Sequence, residues 1–181
     1  MLARTLAIAA VGLLALAGCT ADAPPTTPMP TASTTPPSAT ILNPELVPQD
    51  SAVTTAESAQ AETTRLADAI QALLDPATVL SVQDQSQLIP EQDDLLPYYA
   101  AYRLISLDPS VDPALLSETL SAVLVQSGWT RSETTGEVGH TVWALAGGSA
   151  EAPWFVFIDG DASVAGQSSL SFTIGSPDIV A

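Results

Sequence analysis

In the last fifty residues polar and apolar side chains alternate. Leu170, Phe172 and Ile174 interleave with Ser169, Ser171 and Thr173. A period of two is expected where a strand buries one face and wets the other. The same pattern gives strands over 129–134, 140–146, 154–159 and 167–174, with Gly147-Gly148 and Asp159-Gly160-Asp161 read as turns. Consecutive strands with short connections favour an antiparallel meander.

Upstream the period lengthens to that of a helix. Ala56, Ala59, Leu66, Ile70 and Leu73 fall on one face over residues 54–74, and Thr54 with Glu57 matches a capping box. Asp75-Pro76 ends that pattern, because proline disfavours helical geometry at the residue before it. A second helix is expected after Asp112. Pro113 suits its first turn, Leu116, Leu120, Val123 and Leu124 form its stripe, and Gly128 supplies a left-handed stop. Between the helices, Val79, Leu80 and Val82 suggest a short strand, and residues 89–97 read as an acidic loop. Residues 98–107 fit either period, and three tyrosines beside Leu104 and Ile105 favour a strand. The expected fold is α+β in two layers: an antiparallel meander of about four to five strands with two main helices on one face.

The amino terminus follows another logic. Arg4 precedes an uncharged stretch over residues 6–17. Twelve helical residues span roughly 18 Å, short of the hydrocarbon core at about 30 Å. A basic start, an apolar middle and small residues at the end describe an export signal. Ala15-Leu16-Ala17 fits ordinary signal peptidase, but Cys19, the single cysteine, follows two residues later. Leu16-Ala17-Gly18-Cys19 resembles the lipobox of bacterial lipoproteins. That resemblance implies diacylglyceryl transfer to the Cys19 thiol, cleavage after Gly18, and lipid anchoring at the extracytoplasmic face of the cell membrane. Two or three acyl chains on one residue make such attachment long-lived, whereas one is marginal. Residues 20–48 are rich in Pro, Thr, Ser and Ala and lack Gly. They offer little to bury and read as a disordered tether. The expected organisation is a signal over 1–18, lipidated Cys19 and linker over 19–49, and one domain over 50–181.

Charge narrows the partners. The chain has four basic and twenty acidic side chains, a net charge of −16, and no lysine. Without Arg4 it falls to −17. Phosphate backbones are held by clustered Lys or Arg, so nucleic acid is not an expected partner. Direct adsorption to anionic headgroups is disfavoured on the same ground. The expected partners are the membrane, through Cys19, and an envelope protein or component.

No catalytic motif is legible and no cofactor is expected. His140 is the single histidine, and its reading is a surface or edge-strand imidazole lacking a visible orienting partner. No G-x-S-x-G elbow occurs, and a Ser-Lys arrangement is impossible without lysine. Asp93, Asp94, Glu151, Asp159 and Asp161 are carboxylates of the type a glycosidase uses, but spacing decides that chemistry and sequence does not give it. The run from Asp159 to Ser163 offers oxygens to calcium but lacks the glycine and terminal glutamate of an EF-hand. Aromatics crowd the strands, and alternation sets Trp154, Val156 and Ile158 opposite Phe155 and Phe157. With helices on one face only, either a chain terminus covers the second face or aromatic side chains stay exposed to a partner. With its lipobox, tether and small α+β domain, the chain resembles uncharacterised lipoproteins of high-GC Gram-positive bacteria. The expected role is a non-enzymatic binding or accessory module. The alternatives are a carboxylate hydrolase of cell wall or lipid, and a carrier of small hydrophobic ligands.

Overall fold

The computed structural model describes residues 43–49, 55–91, 96–133 and 136–179. The expected signal, Cys19, most of the expected linker, Asp93 and Asp94 lie outside the described residues. Six strands form one sheet: β1 (Val79–Ile89), β2 (Tyr98–Leu107), β3 (Thr130–Glu133), β4 (His140–Gly148), β5 (Pro153–Asp161) and β6 (Ser168–Gly175). Their spatial order is β1-β2-β6-β5-β4-β3, and every neighbouring pair is antiparallel. β3 to β6 are the expected meander; β6 then docks beside β2 and joins it to the β1–β2 hairpin. The expected two-layer α+β architecture is present, with one strand more than anticipated.

Helices α1 (Ala56–Gln71) and α2 (Pro113–Gln126) pack on one face of the sheet. α1 lies over β2 and its neighbours, and α2 over β4 and β5. Alternation supplies the buried face. Ala101, Ile174, Val156 and Leu145 form one row across four strands, all at or near zero exposure. Leu66, Ala67 and Ile70 of α1 and Leu120 and Leu124 of α2 close over such rows. Fully burying a Leu or Ile side chain contributes about 1.5–3 kcal/mol.

Local signals start and stop the helices. The capping box sits one residue later than expected: Thr55 Oγ1 accepts from the Ser58 amide (3.2 Å) and Ser58 Oγ from the Thr55 amide (3.0 Å). α1 ends at Gln71, before Pro76, and Asp75 instead caps a short 3-10 turn over Pro76–Thr78. At α2 the expectations hold. Asp112 Oδ1 accepts from the amides of Ala114 and Leu115, Pro113 opens the helix, and Gly128 takes a φ of 100° after it.

Three further sequence readings are corrected. Residues 98–107 are a strand, as favoured, but the strand suggested by Val79, Leu80 and Val82 is eleven residues long. Asp159-Gly160-Asp161 is the end of β5, not a turn; the turn follows at 162–167. Gly160 faces α2, where a Cβ would strike the Pro113 carbonyl, so glycine lets the helix start lie against the strand. The expected linker also gives its last residues to the domain. Leu46 is fully buried, and Trp129 Nε1 donates to its carbonyl at 2.7 Å. Arg65 donates to the carbonyls of Glu45 (2.5 Å) and Val47 (3.0 Å) while pairing with Glu62 (2.6 Å).

Arg103 interrupts the apolar face of β2 and is 6% exposed. Its guanidinium reaches Asp68 (2.6 Å) and Gln71 (2.9 Å) on α1 and Asp84 (3.0 Å), its direct cross-strand partner on β1. One cation thus fastens helix, edge strand and inner strand. Its carboxylate partners remain substantially exposed and rehydrate when it is removed. Arg103→Ala is therefore expected to cost about 2–3 kcal/mol, from charged hydrogen bonds and a vacated site. Urea unfolding measures this, and a loss below about 0.5 kcal/mol, ordinary for surface positions, contradicts the assignment.

Candidate functional site

The face of the sheet away from the helices carries the unusual side chains. On β5 it presents Phe155, Phe157, Asp159 and Asp161; on β4, His140, Val142, Ala144 and Ala146; on β6, Ser169, Ser171, Thr173 and Gly175; on β2, Tyr98, Ala100, Tyr102 and Leu104. Trp154, Val156 and Ile158 take the opposite, buried face, as alternation predicts.

Two features share this surface. The first is aromatic. Phe157 lies between small cross-strand partners, Ala144 and Thr173, so its ring stands clear of the sheet and is 46% exposed. Phe155 stands between Ala146 and Gly175 and folds its ring over the glycine, where a Cβ would collide with it. The absent side chain lets the ring lie flat on the backbone. Phe155 also meets Tyr98 edge-on, with ring centroids 5.6 Å apart, and Phe157 at the same separation. Such pairs contribute about 0.5–1.5 kcal/mol beyond burial and hold the row in a fixed shape.

The described part of the chain end does not cover this row. Ser176, Pro177 and Ile179 are buried, but Ile179 packs with Ala59 of α1 and Tyr99, on the helix side. The Ser176 amide donates to the Tyr99 carbonyl and that of Ile179 to the Pro97 carbonyl. Among the described residues, then, the terminus expected over the second face seals the helix-covered one instead.

The second feature is His140 with two aspartates. The strand register sets His140 opposite Asp161 and beside Asp159. Its Nδ1 lies 3.0 Å from Asp159 Oδ2 and its Nε2 lies 3.6 Å from Asp161 Oδ1. The orienting partner that the sequence did not reveal is thus Asp159, nineteen residues on. The Asp159 hydrogen bond, with added attraction from Asp161 and Glu137, raises the His140 pKa above its ordinary value. Asp161 is lowered, first by hydrogen bonds from Ser163 and also by His140. Both ring nitrogens face carboxylates, an arrangement that favours the protonated form of the imidazole.

Glu151, exposed in the β4–β5 turn, does not converge on this group. Within it, Asp161 Oδ1 also accepts from the Ser163 amide at 2.8 Å. Among the described residues no group of three or more His, Cys, Asp or Glu side chains is disposed to hold a metal ion. No described helix is long and apolar enough to cross a membrane. No protein-family model matches this chain, and no curated protein is detectably similar to it in sequence.

A single histidine makes the electrostatics directly measurable. The imidazole should titrate above the ordinary value of about 6.5, and Asp159→Asn should bring it down. A folded-state pKa above the unfolded one means the pair contributes fully below about pH 6.5 and is lost as pH rises through the folded midpoint. NMR titration of the His140 ring protons tests this; a wild-type midpoint at or below the ordinary value contradicts the bridge.

Proposed function

We propose that this chain is a lipid-anchored protein of the extracytoplasmic membrane face, whose domain is a non-enzymatic binding module for another envelope protein. The observation that carries the binding role is the Tyr98–Phe155–Phe157 row, left uncovered by the described residues, with Phe157 half-exposed among small neighbours. A rigid aromatic projection of this kind is the usual anchor of an interface. The rim decides the partner's chemistry. Asp159 and Asp161 flank the row on a chain of net charge −17 after signal removal. The reading is therefore a partner with an apolar depression edged by lysine or arginine. Attachment rests on Leu16-Ala17-Gly18-Cys19, whose position after a short apolar run supports acylation at Cys19.

Two measurements separate the parts of this proposal. Mass spectrometry of the native mature protein should find a diacylglyceryl group on Cys19, and Cys19→Ala should leave the membrane fraction or accumulate as precursor. A bare thiol, or a membrane-bound and normally matured Cys19→Ala protein, overturns the anchor. For the face, affinity capture from native membranes is compared between the wild type and Phe157→Glu. Loss of a central aromatic anchor costs about 2 kcal/mol or more, roughly 30-fold in affinity. A captured protein should therefore be retained by the wild type and lost by Phe157→Glu at unchanged thermal stability. Equal capture by both overturns the open face as the docking surface.

A further inference from the structure

The two edges of the sheet differ. β3 ends one side with four residues, whereas β1 ends the other with eleven. Residues 80–88 of β1 are all exposed, and Leu80, Val82 and Leu88 are among the exposed large hydrophobics. A strand edge is a row of free amides and carbonyls, and proteins ordinarily blunt it with lysine, proline or inward charge. β1 has no lysine and no internal proline. Its single charge, Asp84, is drawn toward the helix side by Arg103 at 3.0 Å.

We infer that a second copy of this chain pairs with β1 edge to edge, antiparallel, about a twofold axis through Gln85. The register argues for that axis. β1 has an irregularity between Val79 and Ser81, after which residues 81–89 pair one-to-one with 98–106. Gln85 is the midpoint of this regular run. With Gln85 opposite its own copy, Val82 meets Leu88 and Leu88 meets Val82, so exposed apolar side chains cover each other twice on the helix side. Asp84 meets Ser86, a hydroxyl of the kind it already accepts from within its own strand at 2.7 Å. Gln83 meets Gln87 on the open side, amide to amide. Neighbouring axes fail on charge. An axis at Asp84 opposes two aspartates, one at Gln83 sets Val82 against Asp84, and one at Ser86 sets Asp84 against Leu88. Like charges directly opposite destabilise a strand pair, and a one-residue slip changes every contact.

The chain from Thr20 onward holds every core residue described and contains no cysteine. Gln85→Cys, on an exposed residue, adds one thiol. Directly opposed residues of antiparallel strands have Cα atoms about 4.5–5.5 Å apart, within the range a disulfide spans. Mild oxidation should therefore link Gln85→Cys into a dimer, but not Gln83→Cys or Ser81→Cys, while Gln83→Cys combined with Gln87→Cys should link. Sedimentation equilibrium of the unsubstituted chain should show a reversible dimer, weakened at least tenfold by Val82→Lys with Leu88→Lys. Three results overturn the inference: a monomer up to about 1 mM, the weakest association counted as binding; equal cross-linking at 83 and 85; or a dimer abolished by Phe157→Glu and untouched by the β1 lysines.

Discussion

Two helices on one face of a six-stranded sheet set the terms for this domain. The inner strands then serve two environments, and alternate side chains go to a packed core and to the face that no described helix covers. The core side follows: Leu145, Val156, Ile174 and Ala101 align because the registers of four strands agree. The uncovered side is where chemistry could vary without cost to folding. There the chain keeps small residues on β6 and rings on β5, so Phe157 stands out while Phe155 lies flat over Gly175.

The scarcity of cations shapes the rest. The chain has no lysine, and apart from Arg4 it has three arginines. Arg65 holds the segment around Leu46, Arg103 joins α1 to the β1–β2 hairpin, and Arg131 lies 4.2 Å from the Trp143 ring centroid. Each ties one element to another. The acids therefore meet no matching set of cations: twenty stand against four basic side chains in the chain.

Where the chain obeyed one local rule, its structure was legible. Alternation placed β6 and the meander, and Asp112, Pro113 and Gly128 bounded α2. Elements decided by distant contacts were not. Leu46 sits among prolines and reads as tether until Trp129 and Arg65 are folded against it. Val79, Leu80 and Val82 marked the start of β1, but glutamine, serine and aspartate dominate residues 83–87, and pairing with β2 carries the strand on to Ile89. Asp159-Gly160-Asp161 has turn composition, but the Gly160 position is dictated by α2 above it. The aromatic alternation on β5 was readable, whereas His140 gave no sign that Asp159 lay beside it, because the register of β4 on β5 brings them together. Arg103 shows no signal at all in an apolar run; its partners come from α1 and β1.

The two proposals, a partner on the open face and a second copy on the β1 edge, do not compete. Its open face presents side chains, and affinity there depends on ring shape and charge. Its β1 edge presents backbone, and selectivity there depends on which side chains end up opposite one another. Antiparallel pairing within one sheet relates two copies by an axis perpendicular to that sheet, so the helices of both copies lie on one side. On the proposed pairing the two aromatic rows therefore face the same way on one continuous surface. A partner with two matching sites then binds the second at high effective concentration. If both proposals hold, edge pairing strengthens face binding without any change to the face, and a modest affinity at each row suffices for a stable assembly.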